Sequence, residues 1–503
     1  MPRRMPPLLL LVFVVGAAAL GIEIAVVRLM APYFGASEVV WANTIGVVLV
    51  ALSIGYWLGG RIADKRPQMS DLCAVVLLAA ALTALLPFVA RPLLDAGVRA
   101  LDAISAGAFV GSLLATLVLV AFPVLLLGTV APWALRLGIE DVDKRQAGAL
   151  AGRLYAVSTA GSLVGTLLAA LVLVPGIGTR RTFIVFALLL ALTALPGVTR
   201  RVPAAGLLAL IATLFVVANS AIKPGSSDAR VIFETETAHQ YVRVLESRDG
   251  TRELELNEGQ AVHSLARPGT VLTGNYWDSV LVLPLASLGR PPQSIAILGS
   301  AAGTMARAQD HFFPRTHVTA VEIDDQLPAI GQRHFGLPLA RIDSVAADAR
   351  PYLRASDRKF DAIVIDAYRQ PYIPFYLTTE EFFRLVQSRL NRGGSAIVNI
   401  GHPKDSSELE RTIAATMRTV FAHVVRDPTR PVNTMLVASD AVPSGRSMVR
   451  AAERTGNTQL GELAGRESRL LAPALPGGEV FSDDHAPVEW LIDRSIVSYA
   501  AGR

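Results

Sequence analysis

A single cysteine, Cys73, in 503 residues excludes any intrachain disulfide and any cysteine-rich metal centre. No metal is expected. Charge is scarce as well: Asp, Glu, Lys and Arg make up 18% of the chain against 52% hydrophobic residues, too apolar a balance for a purely soluble protein of this length. Neither sign of charge dominates, the formal net charge being +5, so nucleic acid is not indicated as a partner.

These averages conceal two unlike parts. Up to Ile222 the chain is a series of apolar runs, and from Lys223 onward charges, histidines and alternating patterns return at the density of a globular domain. The runs fall at 8–30, 39–60, 73–90, 108–137, 154–174, 182–198 and 203–222, about seven spans of bilayer-crossing length. A multi-span helical membrane domain over 1–222 is therefore expected, with the lipid bilayer as partner and the cell membrane as location.

Arg3 and Arg4 precede the first run but do not mark a cleaved signal, since that run is long and further spans follow. Arg61, Lys65 and Arg66 follow the second, Arg136, Lys144 and Arg145 the fourth, and Arg200 and Arg201 the sixth, which places the amino terminus in the cytoplasm. Seven spans would then carry the soluble part outside, and one span fewer would reverse this. "GYWLGGRIADKRP" (55–67) resembles a loop of major facilitator transporters. Glu23, inside the first run with Arg28 following, is costly in lipid unless paired or wetted, and it reads either as a structural group or as part of a transport route.

Beyond the spans, "ARVIFETETAHQYVRVLES" and "RELELNEGQAVHS", divided by "RDGT", predict a small β domain over 228–290. From 291 to the end, "SIAILGS", "HVTAVEID", "FDAIVIDAY" and "GGSAIVNI" are strands alternating with helical stretches, which predicts a doubly wound parallel sheet of the Rossmann-like kind. Ligands of such sheets sit beyond the carboxyl ends of the strands.

Gly299 and Gly303 flank the first turn there, where a missing side chain lets a ligand approach. Glu322 ends the second strand, in the place of a carboxylate that binds ribose hydroxyls, Asp348 follows the third, and Asp366 ends the fourth. Their joint occurrence after successive strands points to nucleotide binding.

Taken in order, "LNEGQAVHS", "VEID", "ADAR", "VIDAY", "LTTEEFF" and "FSDDHAPVEWL" resemble the spermidine synthases, in particular a membrane-fused branch with a helical amino-terminal domain. The resemblance runs over about 231–437 and returns at 481–491. It implies a methyltransferase-type fold and aminopropyl transfer from decarboxylated S-adenosylmethionine to a small-molecule amine. Glu322 would hold the donor's ribose, Asp348 its adenine, and Asp366 a polar face of the catalytic site. Gln240, Tyr276, Asp278, Asp483 and Asp484 become candidates for the acceptor, and an assembly of identical chains is compatible with the family.

The departures bear on the acceptor. "GSAAG" puts Ala302 where the family has an acid, Arg369 falls on or beside a second family acid, and a family Tyr-His-Glu trio becomes Tyr276, Trp277 and Asp278. With fewer carboxylates, a polyamine such as putrescine is expected to bind poorly. Two other readings stay open: a methyltransferase using intact S-adenosylmethionine, and a sensor or transporter that binds a nucleoside or polyamine without turnover.

Overall fold

The computed structural model describes residues 5–34, 38–104, 108–140, 146–218, 228–257, 261–368, 373–404 and 406–492. Arg3, Arg4, Lys144 and Arg145, counted above toward the positive flanks, lie outside them, as do Arg369 and residues 258–260 of "LNEGQAVHS". The chain forms two compact units, Met1–Pro224 with Glu234–Tyr241, and Gly225–Phe233 with Val242–Arg503.

In the first unit, six helices among the described residues are long and apolar enough to cross a membrane: Pro7–Ala31, Val40–Lys65, Met69–Ala90, Gly111–Ile139, Ala147–Ile177 and Thr179–Gly197. They coincide with the first six runs of the sequence. The seventh run forms the shorter apolar helix Val202–Val217, about 24 Å at 1.5 Å per residue and thus short of a bilayer core of about 30 Å. Small residues let the helices touch. A Cβ on Gly161 would lie 2.1 Å from the Phe13 carbonyl oxygen, and one on Gly165 would lie 2.0 Å from that of Ala17, so this pair packs backbone to backbone through a Gly-x-x-x-Gly face. Arg28, expected beside Glu23, donates to the Ala238 carbonyl within the same unit.

The second unit holds a large sheet and most of a smaller one, of which residues 234–236 and Tyr241 belong to the first unit. In the smaller, strands β1 (Ala229–Glu236), β2 (Tyr241–Ser247), β3 (Arg252–Leu256) and β4 (Val262–Ala266) lie in that order. Alternate residues Val242, Val244, Leu254 and Leu256 form one apolar face, which buries against Ala302, Leu327, Ile330 and Phe335. The small sheet is thereby cemented to the nucleotide-type fold that follows it.

The larger sheet comprises β5 (Ser294–Leu298), β6 (His317–Glu322), β7 (Asp343–Ala346), β8 (Phe360–Ile365), β9 (Leu390–Gly401), β10 (His423–Arg430), β11 (Asn433–Ser439) and β12 (Ala472–Pro473). Its order is β12-β10-β11-β9-β8-β5-β6-β7, with β9, β8, β5, β6 and β7 parallel and β10, β11 and β12 joined antiparallel. The central strands read as unbroken apolar runs because both faces are covered. Ala296, Leu298, Ile363 and Ile365 enter one core, while Ile295, Ile297, Ala362 and Val364 enter the core on the opposite face. Each large aliphatic side chain so buried is worth about 2 kcal/mol.

The chain runs from β5 outward through β6 and β7, then returns to place β8 on the other side of β5. That reversal opens a crevice at the carboxyl ends of β5 and β8, the place where such folds bind ligands.

Candidate active site

At this switch point the turn after β5 packs directly on the turn after β8. Gly299 has φ +86° and the backbone there is so close that a Cβ would lie 2.5 Å from the Asp366 carbonyl oxygen, so only glycine fits. Gly303, at φ +84°, starts the helix Thr304–Phe312, and a Cβ would collide with Leu337. Both glycines named from the sequence therefore shape the first turn.

Glu322 reaches back across the end of β6 to that turn. Its Oε2 accepts the Ala301 N–H at 2.8 Å and its Oε1 the Asp324 N–H at 3.1 Å. Burial pushes its carboxyl up to about 7, against the pull of these backbone donors. Glu322 thus holds the turn in shape. Asp348 caps the helix Ala349–Ala355, its Oδ1 accepting the Arg350 N–H at 3.2 Å, and its Oδ2 accepts the Tyr376 hydroxyl at 2.7 Å.

Asp366, just beyond β8, is the centre of a polar network. Its Oδ2 accepts the Tyr276 hydroxyl at 3.0 Å, and its Oδ1 accepts Asn399 Nδ2 at 2.7 Å. Asn399 in turn accepts Asn433 Nδ2 at 3.0 Å. Burial raises the Asp366 carboxyl to about 7, while hydrogen bonds from Asn399, Tyr276 and Trp277 restrain the rise. The same burial, together with Asp366, drives the Tyr276 phenol well above its ordinary range, so Tyr276 stays a donor. Tyr368 fastens the segment to β9: its hydroxyl donates to the Asn399 carbonyl and accepts the Gly401 N–H, both at 2.8 Å.

The structure gives the remaining acceptor candidates partners within the protein. Asp278 is buried, and both its oxygens are taken within its own loop by the Thr273 N–H and hydroxyl and the Gly274 N–H. It shapes the loop that presents Tyr276. Asp483 forms a two-pronged pair with Arg350 at 2.7 and 2.6 Å and accepts the Thr379 hydroxyl. The bond to Arg350 holds its carboxyl below the usual range. Asp484 is exposed beside it. Gln240 belongs to the Glu234–Tyr241 segment of the first unit, where its N–H and carbonyl close a tight turn with Thr237. Ala302, the residue in place of a family acid, is wholly buried in the apolar contact with the small sheet.

Asn399, Asn433, Arg350 and Tyr376 were not singled out in the sequence. Asn399 carries a signal, being a polar residue at the carboxyl end of the "GGSAIVNI" strand. Arg350 lies inside the quoted "ADAR". Asn433 has none, since it enters from an antiparallel strand whose register aligns it with Gly401.

No protein-family model matches the chain. It is 30% identical over 306 residues to the "Probable polyamine aminopropyl transferase" of Bifidobacterium longum, an alignment covering 56% of this chain and 68% of that protein. The chain belongs to the polyamine aminopropyltransferase family. The "Polyamine aminopropyltransferase" of Vibrio vulnificus is 27% identical over 218 residues, covering 42% of this family member and 72% of the relative. Among solved structures, a spermidine synthase in complex with the transition state analogue AdoDATO covers 49% of this aminopropyltransferase-family chain and 85% of its own, at 19% identity and a TM-score of 0.40. A probable spermidine synthase from Corynebacterium glutamicum covers 53% and 100%, at 20% identity and a TM-score of 0.37.

Proposed function

We propose that this spermidine-synthase-like protein transfers an aminopropyl group from decarboxylated S-adenosylmethionine to an amine acceptor, at a crevice held on the cytoplasmic side of the membrane. The observation that carries the reading is Asp366, a carboxylate raised to about 7 at the switch point of the sheet, with Tyr276 and Asn399 aimed at its two oxygens.

In this reaction the lone pair of a neutral acceptor amine attacks the donor's propyl carbon in line with the sulfonium. The carbon–sulfur bond breaks, its electrons go to sulfur, and neutral methylthioadenosine departs. The new ammonium then sheds a proton. A carboxylate of ordinary acidity is a poor acceptor for it, and Asp366, raised by burial, is a better one near neutral pH. Gly299 and Gly303 let the donor approach the backbone, Glu322 lies at the ribose end and Asp348 at the adenine end. Holding donor and acceptor in line accounts for most of the remaining acceleration.

If the six long apolar helices cross, rather than seven, the chain returns to the side from which it started, and the positive flanks favour the cytoplasm for that side. An adenosyl sulfonium donor made in the cytoplasm would then reach the crevice directly.

The test is incubation of the detergent-purified chain with decarboxylated S-adenosylmethionine and a panel of amines, alongside S-adenosylmethionine. Release of methylthioadenosine is expected. Release of adenosylhomocysteine instead would replace the proposal with methylation, and binding without either product would replace it with sensing.

A further inference from the structure

The polar network around Asp366 does not stop at the residues that touch it. Asn399 Nδ2 donates to Asp366 Oδ1 at 2.7 Å, and Asn399 Oδ1 accepts Asn433 Nδ2 at 3.0 Å. Asn399 is buried, so neither end of its amide can turn to water for a replacement partner. An amide has one accepting and one donating end, so whatever stands at position 433 selects which end faces Asp366. A donor at 433 calls for the Asn399 oxygen and leaves its NH2 for Asp366, whereas an acceptor at 433 calls for the NH2 and turns the oxygen toward Asp366. A carboxylate can only accept, so the first arrangement suits ionised Asp366 and the second requires its protonated form.

We propose that Asn433 is a positioning residue of the aminopropyltransferase site, which acts through the orientation of the Asn399 amide to keep Asp366 ready to accept a proton. The inference rests on the reading of Asp366 as the group that takes the acceptor's proton. The surroundings make the relay sensitive. Among the described residues, the titratable groups that face Asp366 are Tyr276, on the Tyr276–Leu281 turn, and Tyr368, in the segment after β8, and burial raises both phenols so that they stay neutral. Trp277 adds a further neutral hydrogen bond. Among the described residues, the groups that bond to Asp366 are neutral dipoles, so their orientation acts on its proton. Tyr368 pins the backbone of Asn399 and Gly401, leaving the Asn399 side-chain amide as the movable member.

The experiment is an infrared pH titration of the carboxyl stretch in the full-length, detergent-purified protein, with Asp366→Asn as the blank that assigns the band. Asn433→Asp keeps the side chain's shape while removing its donors. It should raise the midpoint by about one to two pH units, the size of a lost hydrogen bond to a charged group. Asn433→Thr, which keeps a hydroxyl donor, should leave the midpoint near that of the wild type. Because a new acid at 433 also acts through space, the deciding step is a double-mutant cycle: in an Asn399→Leu background the shift caused by Asn433→Asp should fall to a small remainder. A shift of equal size in both backgrounds overturns the relay, as does an unmoved midpoint in Asn433→Asp or an equal shift in Asn433→Thr. The titration needs no turnover. If Asp366→Asn retains full aminopropyl transfer, it is the proton-acceptor reading that fails, and the two failures are told apart.

Discussion

Tyr276 donates its hydroxyl to Asp366 Oδ2 at 3.0 Å, although 90 residues separate the two in the chain. The contact joins the loop ahead of the Rossmann-like fold to the end of its fourth parallel strand, and it engages the Asp366 oxygen that Asn399 does not. Removing it by Tyr276→Phe should raise the Asp366 midpoint above about 7, because one of the hydrogen bonds that favour the ionised form is gone. The aminopropyl transfer rate at pH 7 should fall about tenfold and recover in part at pH 9. A rate–pH profile checks this, and an equal loss at both pH values would show that Tyr276 serves only as a wall of the crevice.

Glu322→Ala should do two things at once. It leaves the Ala301 and Asp324 N–H groups without their acceptor, which costs about 1–3 kcal/mol of stability, and it removes the carboxylate proposed to hold the donor's ribose. Thermal melting and calorimetric titration with methylthioadenosine measure the two effects. Wild-type affinity in the folded variant would take Glu322 out of the donor site and leave it a loop clasp alone.

Restoring a family acid at Ala302 should fail. The side chain would enter the contact among Val242, Val244, Leu254 and Phe335, where an unpaired carboxylate is expensive to bury. Ala302→Asp should lower stability by about 3 kcal/mol or more and add no turnover with putrescine. A variant that melts like the wild type and gains putrescine activity would mean that this turn opens when substrates bind.

Stability should fall as pH rises from about 4 to about 7. Glu322 and Asp366 are raised to about 7 by burial, and Asp427, fully buried beside Glu467, is raised in the same sense. With folded values above the unfolded ones, the folded chain holds more protons in this window, so the stability present below about pH 4 is lost as these groups ionise. Asp361 and Asp483 are lowered, and their contributions are lost only at more acidic pH. Melting temperatures measured between pH 5 and pH 8 should decline, and Asp427→Asn should flatten the decline. A rising curve would contradict the buried, protonated state of these acids.

The proposed six-crossing topology has a simple readout. Fusions at Arg503 should fluoresce with green fluorescent protein and stay inactive with alkaline phosphatase, as expected for a cytoplasmic carboxyl terminus. Phosphatase activity without fluorescence would require Val202–Val217 to cross the bilayer despite its length.

What the sequence determined by itself was whatever repeats locally. Apolar runs marked the six long apolar helices, unbroken "SIAIL" and "FDAIVI" marked strands covered on both faces, and the order of strands and helices placed Gly299, Glu322, Asp348 and Asp366 at or just beyond carboxyl ends of parallel strands. These follow from periodicity and from the handedness of strand connections, which are properties of neighbouring residues. Hydrogen-bond partners are not local. Asp483 looked as available as Asp366 in the sequence, and only the tertiary structure paired it with Arg350 while giving Asp366 to Tyr276 and Asn399. Asn433 entered the site through an antiparallel register that no pattern of residues announces. A carboxylate's chemistry depends on which donors reach it and how much water is excluded, and both are decided by segments tens of residues away.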